Sequence, residues 1–169
     1  MVILMFYYLN MFLIGSIIGF LWENGLSIIF PSIESGILFG PWVTIYGLGV
    51  CIIIFIERLV FNRFKVNRFF KVLFMVLFIM LIVTGLEFLG GVMIKKFLHK
   101  TLWDYSKFKF NIGKYICLEI TLLWGIMSLL FVYIIKPLLE KFIYKIPRWV
   151  SILVFGLLII DFVITCLEV

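Results

Sequence analysis

The sequence has few residues of the types that bind metal ions, form disulfides or transfer protons in catalysis. His99 is its only histidine, which excludes a metal site built from several histidines. The three cysteines lie in apolar stretches without metal-ligand spacing: Cys51, Cys117 and Cys166. Neither a disulfide framework nor a cysteine-bound metal is expected from them. The sequence predicts no metal and no cofactor.

Two motifs with well-defined chemistry are also absent. The chain has no Gly-x-x-x-x-Gly-Lys-Ser/Thr loop, so it is not expected to bind the phosphates of ATP in that way. It has no Gly-x-Ser-x-Gly nucleophile elbow. His99 and Asp104 are close enough in sequence to form an acid–base pair, but a lone histidine in a loop is more often a solvated residue. The sequence therefore favours a non-enzymatic function and predicts no catalytic residue.

Charged residues are scarce, at 14% of the chain, whereas 65% of the residues are hydrophobic. A soluble domain would be nearer to about half apolar. All fifteen Lys and Arg fall in three short stretches between apolar runs, where they serve membrane topology and contact lipid headgroups. The net charge of +6 therefore predicts contact with a lipid bilayer and gives no indication of nucleic-acid binding.

Five apolar runs are long enough, at about 20 residues, to cross a membrane as helices. They lie near 3–30, 42–61, 70–94, 115–135 and 149–167. The sequence thus predicts an all-α polytopic membrane protein with about five transmembrane helices in one bundle, as a single domain over 1–169. The first run is overlong, which predicts either a tilted span or a span followed by a partly re-entrant piece ending at Pro31. Pro41 is expected in the first turn of the second helix.

The connections between these spans predict an orientation. The second and fourth connections lie on one side and hold nine cations: Arg58, Arg63, Lys65, Arg68, Lys71, Lys136, Lys141, Lys145 and Arg148. The third connection lies on the other side with six. The positive-inside rule then places the N-terminus in the cytoplasm and the C-terminus outside. Within the fourth connection, Pro137 and Pro147 bracket a short amphipathic piece that is expected to lie at the interface.

Four acidic residues lie inside hydrophobic stretches with no Lys or Arg within four residues of them: Glu23, Glu87, Glu119 and Asp161. A carboxylate at membrane depth costs roughly 2.5–3.5 kcal/mol on insertion scales, so each one is a hypothesis for a functional site. The alternative is a protonated or hydrogen-bonded structural carboxyl. In a low dielectric such acids either take up protons or bind a cation.

The direction of each span places three of these acids near one membrane face. Glu23, Glu87 and Glu119 are expected there, beneath the third connection, and Asp161 either joins them or stands apart. The candidates for substrate or ion binding are Glu23, Tyr46, Glu87, His99, Trp103, Asp104, Tyr105, Asn111 and Glu119. Because buried polar groups are normally paired, the expected partners of the acids are hydroxyls, amides or cations such as Tyr46, Asn24, Asn111, Lys95 or Lys114.

Small residues at helical spacing predict close packing between helices. Gly15 and Gly19 form such a stripe on the first span. Thr121, Gly125 and Ser128 form another on the fourth. Packing of the helix bundle is the favoured interpretation of both stripes.

The order of six segments resembles the putative ABC-transporter type IV family, a group of small bacterial multi-spanning proteins. The segments are GFLWE at 19–23, GILFGPWVTIYGLG at 36–49, LEF at 86–88, WDYS at 103–106, FNIGKYICLE at 110–119 and KPLLEKF at 136–142. The resemblance covers roughly 13–146 and leaves an extra C-terminal span near 149–167. The chain departs from the family pattern at Thr44, Phe88, Lys95 and 113–115.

The resemblance implies a permease subunit of a transport system in the bacterial cytoplasmic membrane. Such a subunit would require a separate ATPase subunit, together with a second membrane subunit or a homo-oligomer. Two other classes of function stay open. One is a membrane-embedded enzyme that acts on a lipid or lipid-linked substrate with the acids as acid–base groups. The other is an accessory or sensor protein that transports nothing.

Overall fold

The computed structural model describes residues 2–29, 36–99, 101 and 103–168. The helices are α1 (Val2–Ile29), α2 (Thr44–Arg63), α3 (Arg68–Leu98), α4 (Leu118–Leu130), α5 (Lys136–Ile143) and α6 (Arg148–Glu168). A π turn, Phe131–Ile135, lies between α4 and α5, and a small hairpin of β1 (Asn111–Ile112) and β2 (Ile116–Cys117) precedes α4. The predicted all-α class is confirmed.

Five helical segments are long and apolar enough to cross a membrane, as the sequence predicts. They are Val2–Gly25, Thr44–Arg63, Arg68–Phe97, Leu118–Ile143 and Arg148–Glu168. The overlong first run forms a continuous helix to Ile29, and Pro31 lies outside the described residues. Pro41 precedes the first residue of α2, Thr44, so its expected place in the first helical turn is wrong.

The fourth span differs most from its prediction, because it continues to Ile143 and not to residue 135. The expected interfacial piece is α5, which follows the π turn without an intervening loop. Pro137 gives a physical reason for the π turn. Proline has no N–H to donate and its ring clashes with the preceding turn of a regular α-helix. A wider turn, in which the Lys136 N–H bonds to the Phe131 carbonyl, accommodates it.

The described residues group into two compact units. The terminal unit contains the chain up to Cys51 and from Leu138 onward, and the central unit is Ile52–Pro137. A core of Leu13, Trp42 and Leu158 forms in the terminal unit. The single membrane domain expected over 1–169 stays a prediction.

In the terminal unit, α1 and the first turns of α2 pack closely through glycines. A Cβ atom at Gly19 would overlap the Tyr46 ring, and one at Gly47 would overlap the Ser16 hydroxyl and the Phe12 carbonyl. The Val43 N–H donates to the Ser16 carbonyl at 2.9 Å, which joins the start of α2 to α1. Packing is thus confirmed as the role of Gly19 in this stripe.

We expect Gly47→Ala to lower the free energy of unfolding by about 1–3 kcal/mol, because its methyl group would force the two backbones apart. Gly49→Ala is the matched control, since no atom lies within 4 Å of a Cβ at that position. Without a clash, alanine should stabilise the helix by up to about 1 kcal/mol. Thermal unfolding in detergent measures both variants. Equal midpoints would contradict the close approach of the helices.

In the central unit, α3 and α4 pack through the second stripe of small residues. Gly125 faces the Met80 side chain, and the hydroxyls of Thr84 and Thr121 hydrogen-bond at 2.9 Å. The Ser128 hydroxyl donates to the Gly125 carbonyl of the same helix at 2.7 Å, and Ser128 is fully buried. The contacts of Gly125 and Thr121 with α3 confirm the predicted packing role of this stripe.

The central unit also contains an ion pair that was not predicted from the sequence. The Lys136 ammonium is paired with the Glu57 carboxylate, and both side chains are mostly buried. It joins the end of the π turn to α2.

Candidate functional site

Glu87 is the most deeply buried of the predicted acids in the central unit, with 6% of its surface exposed. It lies on α3, and both of its oxygens accept hydrogen bonds. The Tyr105 hydroxyl donates to Oε1 at 2.8 Å, and the Trp124 indole N–H donates to Oε2 at 3.3 Å. Because Trp124 belongs to α4 and Tyr105 to the loop before the hairpin, one carboxylate joins three segments of the chain.

The loop that carries Tyr105 is held in place by backbone and aromatic contacts. The Tyr105 N–H donates to the Lys114 carbonyl at 2.7 Å, and the Trp103 indole donates to the Tyr115 carbonyl at 3.2 Å. A Cβ at Gly91 would overlap the Tyr115 ring, so this glycine lets the loop approach α3. The hairpin therefore fixes the position of the hydroxyl that reaches Glu87.

Glu119 begins α4 beside the same loop. Its Oε1 accepts from the Phe110 N–H at 3.4 Å, whereas the buried Oε2 has no hydrogen-bond partner among the described residues. Cys117, which directly precedes α4, is also buried. Burial raises the pKa of Cys117, and the charges of Glu119 and Glu87 raise it further.

Glu23 lies in the terminal unit, on α1. Its Oε2 accepts from the Gly36 N–H at 3.2 Å, and the Tyr46 side chain is a second hydrogen-bond partner. Gly36 has φ +67°, a conformation that favours glycine and aims its N–H at the carboxylate. The predicted pairing of an acid with Tyr46 is therefore confirmed for Glu23.

The other predicted partners bond elsewhere. Asn24 donates to the Phe20 carbonyl at 2.9 Å, and Asn111 donates to the Gly113 carbonyl at 2.9 Å within the hairpin turn. Lys95 and Lys114 are exposed, and neither forms an ion pair within the described part of the chain. A hydroxyl was among the expected kinds of partner, and Tyr105 provides one to Glu87. The partner that the structure describes for Glu119 is the Phe110 N–H, which was not expected.

The remaining candidates lie at the surface or serve the loop. His99 is exposed at the end of α3 with φ 53°. Asp104 is exposed and accepts from the Ser106 N–H at 2.8 Å, and hydrogen bonds from Ser106 lower the pKa of Asp104. Trp103 and Tyr105 are the two loop candidates that the structure connects to the hairpin and to Glu87. The prediction that Glu23 shares one site with Glu87 and Glu119 stays a prediction.

Among the described residues, Asp161 on α6 has the most extensive hydrogen bonding of the four acids, although it was not one of the predicted site residues. Its Oδ2 accepts from the Gly40 N–H at 2.8 Å and from the Trp42 indole at 2.6 Å. Its Oδ1 accepts from the Phe39 N–H at 3.1 Å and from the Thr165 hydroxyl at 3.4 Å. The carboxylate thus binds the segment that precedes α2.

An open groove of about 520 Å³ runs beside this carboxylate. Its lining is mainly apolar and comes from α6 and the segment before α2: Phe39, Gly40, Pro41, Trp42, Leu157, Ile160, Asp161, Ile164 and Glu168. Four donors, two on each oxygen, bind Asp161, compared with two for Glu87, so we expect a structural role for the Asp161 carboxylate. Within the described ranges, no group of three or more His, Cys, Asp or Glu is arranged to hold a metal ion.

A family model described as putative ABC-transporter type IV matches residues 10–167. The chain belongs to this family. The resemblance seen in the sequence is thereby confirmed, and the match is longer than expected, because it includes the last helix. No curated protein and no solved structure shows significant similarity to the chain.

The residues that match the putative ABC-transporter type IV family include all four acids of the hydrophobic stretches. Glu23, Glu87, Glu119 and Asp161 lie between residues 10 and 167. The five apolar helices and the family together indicate a multi-pass membrane protein of ABC-transporter type.

Proposed function

We propose that this chain is the permease subunit of an ABC-type transport system in the bacterial cytoplasmic membrane. The match to the family model over residues 10–167 is the observation that supports it most strongly. The sequence has no phosphate-binding loop of the Gly-x-x-x-x-Gly-Lys-Ser/Thr type, so ATP hydrolysis would come from a separate subunit. A second membrane subunit or a second copy would complete the pathway, because five helices enclose little space.

The proposed polar site is the pair Glu87 and Glu119 with the loop residues Trp103 and Tyr105. Neutral groups donate to Glu87, so its negative charge is hydrogen-bonded but not neutralised by them. Glu119, in the first turn of α4, would add a second negative charge to this site and raise the cost of holding charge in a low dielectric. Such a pair gains stability by binding a proton or a cation. Glu23 and Tyr46 would provide a further acidic position on α1 and α2.

Isolation of the complex tests the function. We expect the affinity-tagged full chain, purified from native membranes in mild detergent, to carry a nucleotide-binding ATPase with it. Reconstituted vesicles should hydrolyse ATP only when both subunits are present. Turnover of a lipid by the chain purified alone would instead favour the membrane enzyme. A chain that recovers no ATPase would favour the accessory or sensor protein.

The proposed orientation, with the N-terminus in the cytoplasm, can be tested by cysteine labelling. Val66 and Lys107 are exposed positions in the connections after α2 and α3, and neither holds a helix cap. In a background without the three native cysteines, Lys107→Cys should react with an impermeant maleimide in whole cells. Val66→Cys should react only after the cells are opened. Reaction of both positions from one side would contradict the orientation.

A further inference from the structure

The end of α5, the connection to α6 and the first residues of α6 are together called the α5–α6 turn (141–149). This turn presents three exposed cations within eight residues: Lys141, Lys145 and Arg148. Among the residues that the structure describes, none of the three forms an ion pair. Lys145 lies 5.8 Å from the centre of the Phe142 ring and Arg148 lies 5.7 Å from that of Phe6. Aromatic rings thus contact two of the cations while their charges stay available to an anion.

The same turn exposes three large aromatic side chains. Phe142 is 63% exposed, Tyr144 62% and Trp149 67%. The turn includes the end of one apolar span, at Ile143, and the start of the next, at Arg148, so in a bilayer it would lie near the headgroups. Tyrosine and tryptophan prefer this depth, because their rings enter the apolar layer while their polar atoms stay hydrated. If only water surrounded the turn, the exposure of these aromatic rings would bring no favourable free energy.

The turn is held against α1 by specific contacts. The Tyr7 hydroxyl donates to Glu140 Oε1 at 2.7 Å, and the Tyr7 and Tyr144 rings stack with centroids 5.8 Å apart. The Asn10 amide donates to the Ile143 carbonyl at 3.4 Å. Glu140 offsets one positive charge, which leaves a local excess of two. The cations therefore project from a turn that is already ordered, which lowers the entropic cost of binding a ligand.

We propose that this turn is a binding site for the phosphate headgroup of an anionic phospholipid. The three cations would attract the phosphate and the aromatic side chains would contact the upper part of the acyl chains. The exposed aromatics at membrane depth select a lipid over a soluble acidic protein. The site goes beyond transport, because it would operate whether or not the chain is a permease.

Native mass spectrometry of the full chain in detergent tests the site with phosphatidylglycerol and phosphatidylcholine. The wild-type chain should bind phosphatidylglycerol more tightly. Each cation removed should weaken that binding by about fivefold at low salt. Lys141→Gln, Lys145→Gln and Arg148→Gln together should therefore weaken it by roughly 100-fold and leave phosphatidylcholine binding unchanged. High salt should reduce the difference between the two lipids.

A charge-matched control separates a site from net charge. Lys107→Gln, Lys109→Gln and Lys114→Gln together remove three exposed cations from the segment between α3 and α4, so this variant should leave the preference for phosphatidylglycerol intact. Lys141→Arg, Lys145→Arg and Arg148→Lys together should also preserve it. Circular dichroism of each variant checks that its helices are folded. The proposal is overturned if the triple glutamine variant keeps the wild-type preference, or if the control loses as much affinity.

Discussion

Glu87→Gln should insert and fold normally while the ATP hydrolysis of the reconstituted complex falls by roughly tenfold to 100-fold. Hydrogen bonds to a charged group contribute about 1.5–3 kcal/mol, which corresponds to that range of rates if the charged form takes part in the transport cycle. Glutamine keeps the shape of the side chain and removes the group that can be charged. The expected loss is therefore one of function.

The fold should survive because one partner of Glu87 can reverse its hydrogen bond. The Trp124 N–H can only donate, so it would keep the remaining oxygen of the amide. The Tyr105 hydroxyl, now 2.8 Å from Oε1, can rotate and accept from the new NH₂ group. Both contacts then persist in the variant, and α3, α4 and the loop stay joined.

Membrane insertion, expression and ATP hydrolysis should be measured together for this variant. Glu168→Gln is the matched control, because it makes the same chemical change at an exposed position near the end of α6. It should leave all three properties unchanged. If Glu87→Gln aggregates or is degraded, Glu87 has a structural role. If the complex hydrolyses ATP at the wild-type rate, the acidic site does not take part in the cycle.

Most of the fold could be predicted from hydropathy alone, because a lipid environment requires each spanning segment to be a long apolar helix. The predicted start of the last span, 149, lies next to the observed Arg148. The end of the fourth span was missed, since the first charge, at Lys136, was taken as the membrane boundary. The Glu57 carboxylate neutralises this lysine. Because Glu57 is distant in sequence, this ion pair cannot be predicted from the residues around Lys136.

The candidate site was predictable only in part. Glu87 and Tyr105 were both named because a carboxylate in an apolar span and a polar loop are visible in the sequence. Trp124 was missed, since a tryptophan in a span is ordinarily an interfacial anchor. The partners of Asp161 include the backbone N–H groups of Phe39 and Gly40, which no side-chain pattern reveals. Unpaired N–H groups in a glycine-containing connection are the signal that could have indicated a carboxylate partner.

Asp161→Asn should lower the free energy of unfolding by about 1–3 kcal/mol, because it leaves at least one backbone donor without its acceptor. Phe39 and Gly40 donate to different oxygens of Asp161, and a backbone N–H cannot reverse its role. Whichever way the asparagine amide is turned, its NH₂ group therefore faces one of them. Each buried donor that loses its acceptor costs about 1–3 kcal/mol.

The contrast with Glu87 makes this prediction specific, since the same acid-to-amide change should spare one site and disrupt the other. Thermal unfolding in detergent, followed by tryptophan fluorescence, should show a large fall in midpoint for Asp161→Asn. Thr165→Val removes only the weakest contact, at 3.4 Å, so it should cost less than about 1.5 kcal/mol. Glu168→Gln should have no effect. If Asp161→Asn unfolds at the same temperature as Glu168→Gln, the carboxylate does not hold the segment before α2 on α6.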